Sequence, residues 1–179
     1  MGTIVRDARP NDAPRMGEVH VAAWQSAYRG LLSDEFLDSL DAPTRAEHWR
    51  GALTAATQRA EVPDGGSDPH NLVGEIDGSV VAIATVGPYR DRPAGDMGEL
   101  WMINVEPSSW GTGIATELLG VAVERLVGMN CAGAVLWVID RNLRARRFYE
   151  KHGWRVDGES KAELVGDREI IEVRYAIAL

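Results

Sequence analysis

The chain predicts a mixed α/β protein: a sheet of about seven strands with helices on both faces. Three features carry that prediction. An apolar run ending at Val105 passes through Gly111-Thr112-Gly113 into a helical pattern, and a second apolar run, Ala134 to Ile139, follows it. That is a β-α-β crossover, and such a crossover makes its two strands parallel. The dipeptides Asp77-Gly78 and Gly166-Asp167 each separate strand-like segments and suit tight turns between antiparallel neighbours. Before residue 60 the pattern changes to helix starts marked by Pro and short polar residues. The 179 residues are expected to form a single domain, 1–179, long enough to bury most of the surface its unfolded chain exposes.

Thr3 to Ala8 reads as the first strand, ended by Arg9-Pro10. Asn11 or Asp12 can cap the next helix, with Pro14 in its first turn where a missing N–H costs nothing. Met16, Val19, Ala23 and Ala27 give that helix an apolar face, and Arg29-Gly30 stops it. Ser33-Asp34-Glu35 opens a short helix with Phe36, Leu37 and Leu40. Pro43-Thr44 starts a third, with Trp49 and Leu53, fading towards Ala60. Pro63 to Pro69, with Gly65-Gly66-Ser67 inside, reads as a flexible loop. Asn71 to Ile76 and Ser79 to Val86 are strands, and Gly87 to Asp96 is a loop with little to pack. Glu99 to Val105 is the central strand, and Ala134 to Ile139 is apolar enough to be buried on both faces. Between them Ile114, Ala115, Leu118, Leu119, Ala122, Leu126 and Met129 form a wide apolar helix face. The last strands are Trp154 to Gly158 and Glu169 to Ile177.

Composition excludes several classes of function. A net charge of −8 argues against a nucleic-acid surface, which wants a basic face, and agrees mildly with a cationic substrate. Cys131 is the single cysteine, so no intramolecular disulfide and no Cys-ligated zinc is expected. His20, His48, His70 and His152 show no ligand spacing, and no metal is inferred. Met1 to Asp7 lacks an apolar signal core, and the longest apolar run, Val80 to Val86, is far short of a membrane span. A cytoplasmic protein without membrane contact is the expectation. Six tryptophans and an apolar sheet edge allow a homodimer.

A strand feeding a helix through glycines makes an anion cradle, because the first turn of a helix has unpaired N–H groups and the positive end of the dipole. A P-loop would need Lys after its second glycine, where Ile114 stands. A dinucleotide fingerprint would need a third glycine at Thr116 and no spacer after the strand, so that design also fits poorly. The stretch Val105-x-Pro107 with Trp110-Gly111-Thr112-Gly113-Ile114-Ala115 instead resembles motif A of the GCN5-related N-acetyltransferases, Arg/Gln-x-x-Gly-x-Gly/Ala. It departs from that pattern at Trp110, where Arg or Gln is usual. Asn142-Leu143-Arg144-Ala145-Arg146-Arg147-Phe148-Tyr149, continued to Gly153-Trp154, resembles the family's motif B, with Trp154 for the usual Phe. The two motifs cover the central and C-terminal chain.

The resemblance implies direct transfer of an acetyl group from acetyl-coenzyme A to a primary amine of a small molecule or peptide. It also implies a mostly antiparallel sheet whose central parallel pair splays apart to admit the pantetheine arm. Ile103, Asn104 and Val105 would then meet the arm's amides as an added strand does. Main-chain groups of Trp110, Gly111, Thr112, Gly113, Ile114 and Ala115, with Thr116, would meet the pyrophosphate. Asn142 and Ala145 lie along the arm, although a helix N-cap explains an Asn at 142 equally well. Of Arg141, Arg144, Arg146 and Arg147, one or two can meet the 3′-phosphate, Arg147 among them; a solvated helix face is the plainer account of each.

An acceptor amine is mostly protonated at neutral pH and needs a base. Glu99 is the candidate, placed by alternation on the face of Trp101 and Ile103; a solvated strand-edge charge or a substrate ligand is the competing account. By resemblance Tyr149 protonates the leaving thiolate, against an ordinary packed aromatic. Trp24 and Tyr28 can bind a cationic acceptor or simply pack the first helix, and Arg29 suits an acceptor carboxylate. A non-catalytic acyl-coenzyme A binding module is the rival reading, and retention of both Glu99 and Tyr149 speaks for the enzyme.

Overall fold

A computed structural model describes residues 2–60, 68–91 and 95–179. The loop expected over Pro63 to Pro69 lies largely outside the described residues. The elements in order are β1 (Thr3–Asp7), α1 (Ala13–Ala27), α2 (Asp34–Asp38), α3 (Ala42–Ala60), β2 (His70–Ile76), β3 (Ser79–Pro88), β4 (Met97–Val105), α4 (Ile114–Gly128), β5 (Gly133–Ile139), α5 (Leu143–Lys151), β6 (Arg155–Val165) and β7 (Arg168–Ala178). Short 3-10 turns, Pro10–Asp12 and Pro107–Ser109, precede α1 and the glycine loop.

The strands form one seven-stranded sheet in the order β1-β2-β3-β4-β5-β7-β6. Every pairing is antiparallel except β4 with β5. Asp77 and Gly78 both take positive φ, 49° and 82°, the conformation a two-residue hairpin turn requires. Alternation sends Leu72, Ala82, Ala84, Leu136 and Val138 to the face under α4 and α5, and Val73, Val80 and Ile83 to the face under α1 and α3. The sheet is therefore covered on both sides. Gly17 sets the approach of α1 to α3: a Cβ there would fall 2.5 Å from the carbonyl oxygen of Ala42. Among the described residues no helix is long and apolar enough to cross a membrane.

Several boundaries differ from the sequence reading for identifiable reasons. Asp12 precedes α1 but does not cap it, because its carboxylate accepts instead from Arg6 and from the N–H of Arg9 at 2.7 Å. Asp41 accepts from the N–H of Thr44 at 2.8 Å at the start of α3. Ser33 does cap α2, accepting from the N–H of Phe36 at 3.2 Å. The segment after Val86 packs rather than loops: β3 runs to Pro88, and Tyr89 is buried. Past Gly158 the chain returns to the ladder after a bulge, which leaves Asp157 to Glu159 out of register, so β6 reaches Val165 as a polar edge strand.

The α1/α3 interface holds a buried histidine. His20 stacks on Trp24 with ring centroids 5.4 Å apart, and neither ring nitrogen finds a partner among the described residues. Burial, then the charges of Arg45 and His48, push its pKa down to about 4. The unfolded chain binds a proton at His20 below about pH 6.5 and the folded chain does not, so this contribution is complete above 6.5 and is lost as pH falls towards 4. Thermal unfolding should show about 2 kcal/mol of lost stability between pH 7 and 5, and His20→Leu should flatten that slope; an unchanged slope removes His20 as its source.

Candidate active site

The ladder between β4 and β5 is short. It holds Met97 to Gly133, Gly98 to Ala134 and Glu99 to Val135, and then stops, while β4 stays paired with β3 to Val105 and β5 with β7 to Ile139. The cause lies one residue further on: Val86 pairs with Leu100 and Thr85 with Met102, leaving Trp101 as an extra residue on β4. A bulge bends the strand that carries it, so β4 turns away from β5 where Trp101 enters. A cavity of about 480 Å³ occupies the resulting opening.

At one mouth stands the glycine loop. Gly111 and Gly113 take φ of 84° and 97°, open to glycine and strained for other residues, and a Cβ at either would meet nothing within 4 Å. It would project into empty space that the backbone keeps clear. The N–H of Trp110 is used by Pro107 and that of Thr112 reaches Ser109 at 3.5 Å, which leaves the N–H groups of Gly111, Gly113, Ile114 and Ala115 without acceptors among the described residues. Four free amides at the positive end of a 15-residue helix form a site for an anion. The indole of Trp110 donates to the carbonyl of Val105 at 2.9 Å, and the guanidinium of Arg144, from α5, lies 3.5 Å from the Trp110 ring centroid. Positive charge thus reaches the loop from the neighbouring helix.

Ile103, Asn104, Val105, Trp110, Gly111, Gly113, Ala115, Thr116, Asn142, Ala145, Tyr149, Trp24 and Tyr28 all line this one cavity. Asn104 is nine-tenths buried with its amide nitrogen unpartnered among the described residues, a donor waiting for a carbonyl. Asn142 accepts from the N–H of Ala145 at 3.2 Å, so it caps α5 and faces the cavity at once. Thr116 is tied to His152 at 3.0 Å; since Nδ1 of that ring lies 2.7 Å from the Phe148 carbonyl and must donate there, the Thr116 hydroxyl donates to Nε2 in the neutral ring.

Other expected site residues fall elsewhere. Thr112 turns its hydroxyl back to the Ser109 carbonyl at 2.8 Å, and the Ile114 side chain is core, packed over Gly74. Arg147 is exposed and outside the lining, while Arg144 and Lys151 are part of it. Arg146 bonds Tyr175 and Asp140. Arg29 is spent on Asp34 and Asp38, at 3.0 and 2.9 Å, and is not part of the cavity lining.

Glu99 needs the largest correction. A Cβ on Gly98 would point at Leu126 of α4, and Leu100 packs in the same cluster, so Glu99 between them faces the opposite side. Beyond the bulge the alternation is reset and Ile103 joins the α4 side; the two do not share a face. The Glu99 carboxylate is 1% exposed, accepts from the N–H of Arg90 at 3.0 Å and from its guanidinium, and does not line the cavity.

Tyr149 and Tyr28 come from helices on opposite faces of the sheet and meet in the opening. Burial, then the neighbouring Tyr28, holds the Tyr149 hydroxyl well above its ordinary pKa. Burial and then the charge of Glu172 push Tyr28 up to about 12. Glu172 and Trp137 also line the cavity, and the sequence reading named neither. The signal that could have found them is strand alternation, since Trp137 and Glu172 share the face of Ile139 and Ile170.

A sheet opened by a bulge, with an anion cradle at its mouth and a tyrosine inside the gap, is the architecture of the site. The model of the acetyltransferase (GNAT) family matches residues 24–154, and the chain belongs to that family. It is 25% identical over 164 residues to an uncharacterized N-acetyltransferase, YuaI, of Bacillus subtilis, covering 92% of this chain and 87% of that protein. Its fold is similar to the PaiA N-acetyltransferase of Thermoplasma acidophilum solved with coenzyme A (TM-score 0.75, 17% identity, both chains covered completely). It is also similar to YncA of Salmonella typhimurium, solved with acetyl-CoA (TM-score 0.70, 17% identity, 99% and 94% covered). Among the described residues no group of His, Cys, Asp or Glu could hold a metal ion.

Proposed function

We propose that the protein transfers an acetyl group from acetyl-coenzyme A directly to a primary amine of a small molecule or peptide. The observation that carries this reading is the juxtaposition of four free amides at the head of α4 with the buried hydroxyl of Tyr149 in one opening between β4 and β5. The residues fit the cofactor: the clear space over Gly111 and Gly113 suits a diphosphate, and the orphaned amide of Asn104 suits a carbonyl of the arm. Two structural neighbours solved with coenzyme A or acetyl-CoA support the same assignment. The cofactor supplies an activated acetyl thioester.

In this reading the amides of Gly111, Gly113, Ile114 and Ala115 bind the pyrophosphate, and Arg144 adds a cation beside them. Those edge groups of Ile103 to Val105 that neither β3 nor the Trp110 indole takes, with the side of Asn142, orient the arm. Tyr149, kept protonated by its burial, donates to the departing sulfur. Glu99 acts at a distance, holding Arg90 and the end of β3 beside Trp101. Trp24 and Tyr28 wall the end where the amine enters. Thiol release from acetyl-CoA, measured across polyamines, amino acids, aminoglycosides and peptides, should exceed the background for at least one amine class. Tight coenzyme A binding with no thiol release for any acceptor makes the protein a binding module instead.

A further inference from the structure

We propose that Glu172 is the general base that takes a proton from the acceptor ammonium, a role that rests on the transfer reaction proposed above. The transfer needs a base at the cavity, and Glu99, bound to Arg90 and outside the lining, does not supply one. Glu172 does. It lies on β7 opposite Ile139 of β5 and opposite Lys161 of β6, and its side chain is 17% exposed and lines the cavity with Tyr28, Trp24 and Tyr149.

The surroundings of Glu172 suit a base. Lys161 is its cationic neighbour, with Nζ 3.4 Å from the carboxylate, and that ammonium is shared with Glu163 at 3.4 Å and with the Trp137 ring at 4.5 Å. Arg174, two residues along β7, is committed to Asp157 and Tyr89. From the end of α1 the Tyr28 hydroxyl feels its charge, and across β5 its partner is the apolar Ile139. Burial raises the Glu172 carboxyl above its ordinary range, Glu163 pushes the same way, and Lys161 offsets them in part. A carboxylate whose pKa is raised is a better proton acceptor than an exposed one.

The proton balance closes with groups already in the cavity. The ammonium gives one proton to Glu172, and its freed lone pair forms the C–N bond as the thioester C–S bond breaks. Tyr149 protonates the sulfur and recovers the second nitrogen proton as the amide forms. Glu172 then releases its proton to water, one per turnover. Acid and base thus approach from opposite faces of the sheet, Tyr149 from α5 and Glu172 from the face beneath the end of α1.

The test is the pH profile of kcat/KM with whichever amine the wild-type protein acetylates. Glu172→Gln should lower kcat/KM at pH 7 by about 100-fold, erase the acidic limb, and bind coenzyme A as wild type does in calorimetry. Lys161→Met, which removes the cation that holds Glu172 down, should move the acidic limb to higher pH. Should the glutamine variant fail to fold, the shift in Lys161→Met decides alone. An unaltered profile in Glu172→Gln, a raised amine KM with kcat and limb intact, or an unmoved limb in Lys161→Met overturns the assignment while leaving acetyl transfer standing. A wild-type protein that acetylates no amine overturns both.

Discussion

Gly113→Val is expected to weaken coenzyme A binding by about 100-fold or more, read as Kd in calorimetry or as KM for acetyl-CoA. Gly113 holds φ at 97°, where a β-branched residue costs about 1–3 kcal/mol of strain, so the loop should relax away from its present path. Two branches of the new side chain would also enter the space that the amides of Gly111, Ile114 and Ala115 face. Losing two hydrogen bonds to a charged ligand, at about 1.5–3 kcal/mol each, corresponds to the stated change. Gly120→Ala is the matched control. It lies on the same helix, exposed and with open space around its Cβ position, and should leave affinity as it was. Retained affinity in Gly113→Val would remove the cradle, and with it the cofactor assignment.

Tyr149→Phe should lower kcat by about 10³-fold with little change in coenzyme A affinity, because the ring can stay in its contacts with Trp154 and Tyr175 while the hydroxyl goes. The ring centroids lie 6.3 Å from both neighbours, contacts that a phenylalanine ring keeps. The raised hydroxyl pKa gives this prediction a second face. The proton stays on Tyr149 through neutral and mildly alkaline pH, so the wild-type rate should show no alkaline limb from this group below about pH 10. The reverse pattern, weakened binding with kcat preserved, would make Tyr149 a packing residue.

The glycine loop that opens α4 was legible as a backbone feature. Gly111 and Gly113 take the left-handed backbone that glycine permits, and Asn142 caps α5 while lining the cavity. These readings succeed because main-chain amides and caps are local, decided within one helical turn. The face that Glu99 takes was not legible in the same way. Glu99 was placed by counting alternate residues from Val105, and one extra residue, Trp101, resets the count. Arg29 looked available for a ligand, but Asp34 and Asp38, brought round by α2, had already claimed it.

What the sequence by itself determined is the crossover around Val105, the glycine loop, the capped α5 with Tyr149 on it, and the paired strands on either side of Asp77-Gly78. Each follows from neighbours a few residues apart, where backbone geometry leaves little choice. Only the tertiary structure decided where β4 parts from β5, that Glu99 lies under Arg90, and that Glu172, carried in on the last strand, shares a cavity with Trp24, Tyr28 and Tyr149. Those outcomes depend on register between strands distant in the chain, and a shift of one position exchanges the two faces of a strand.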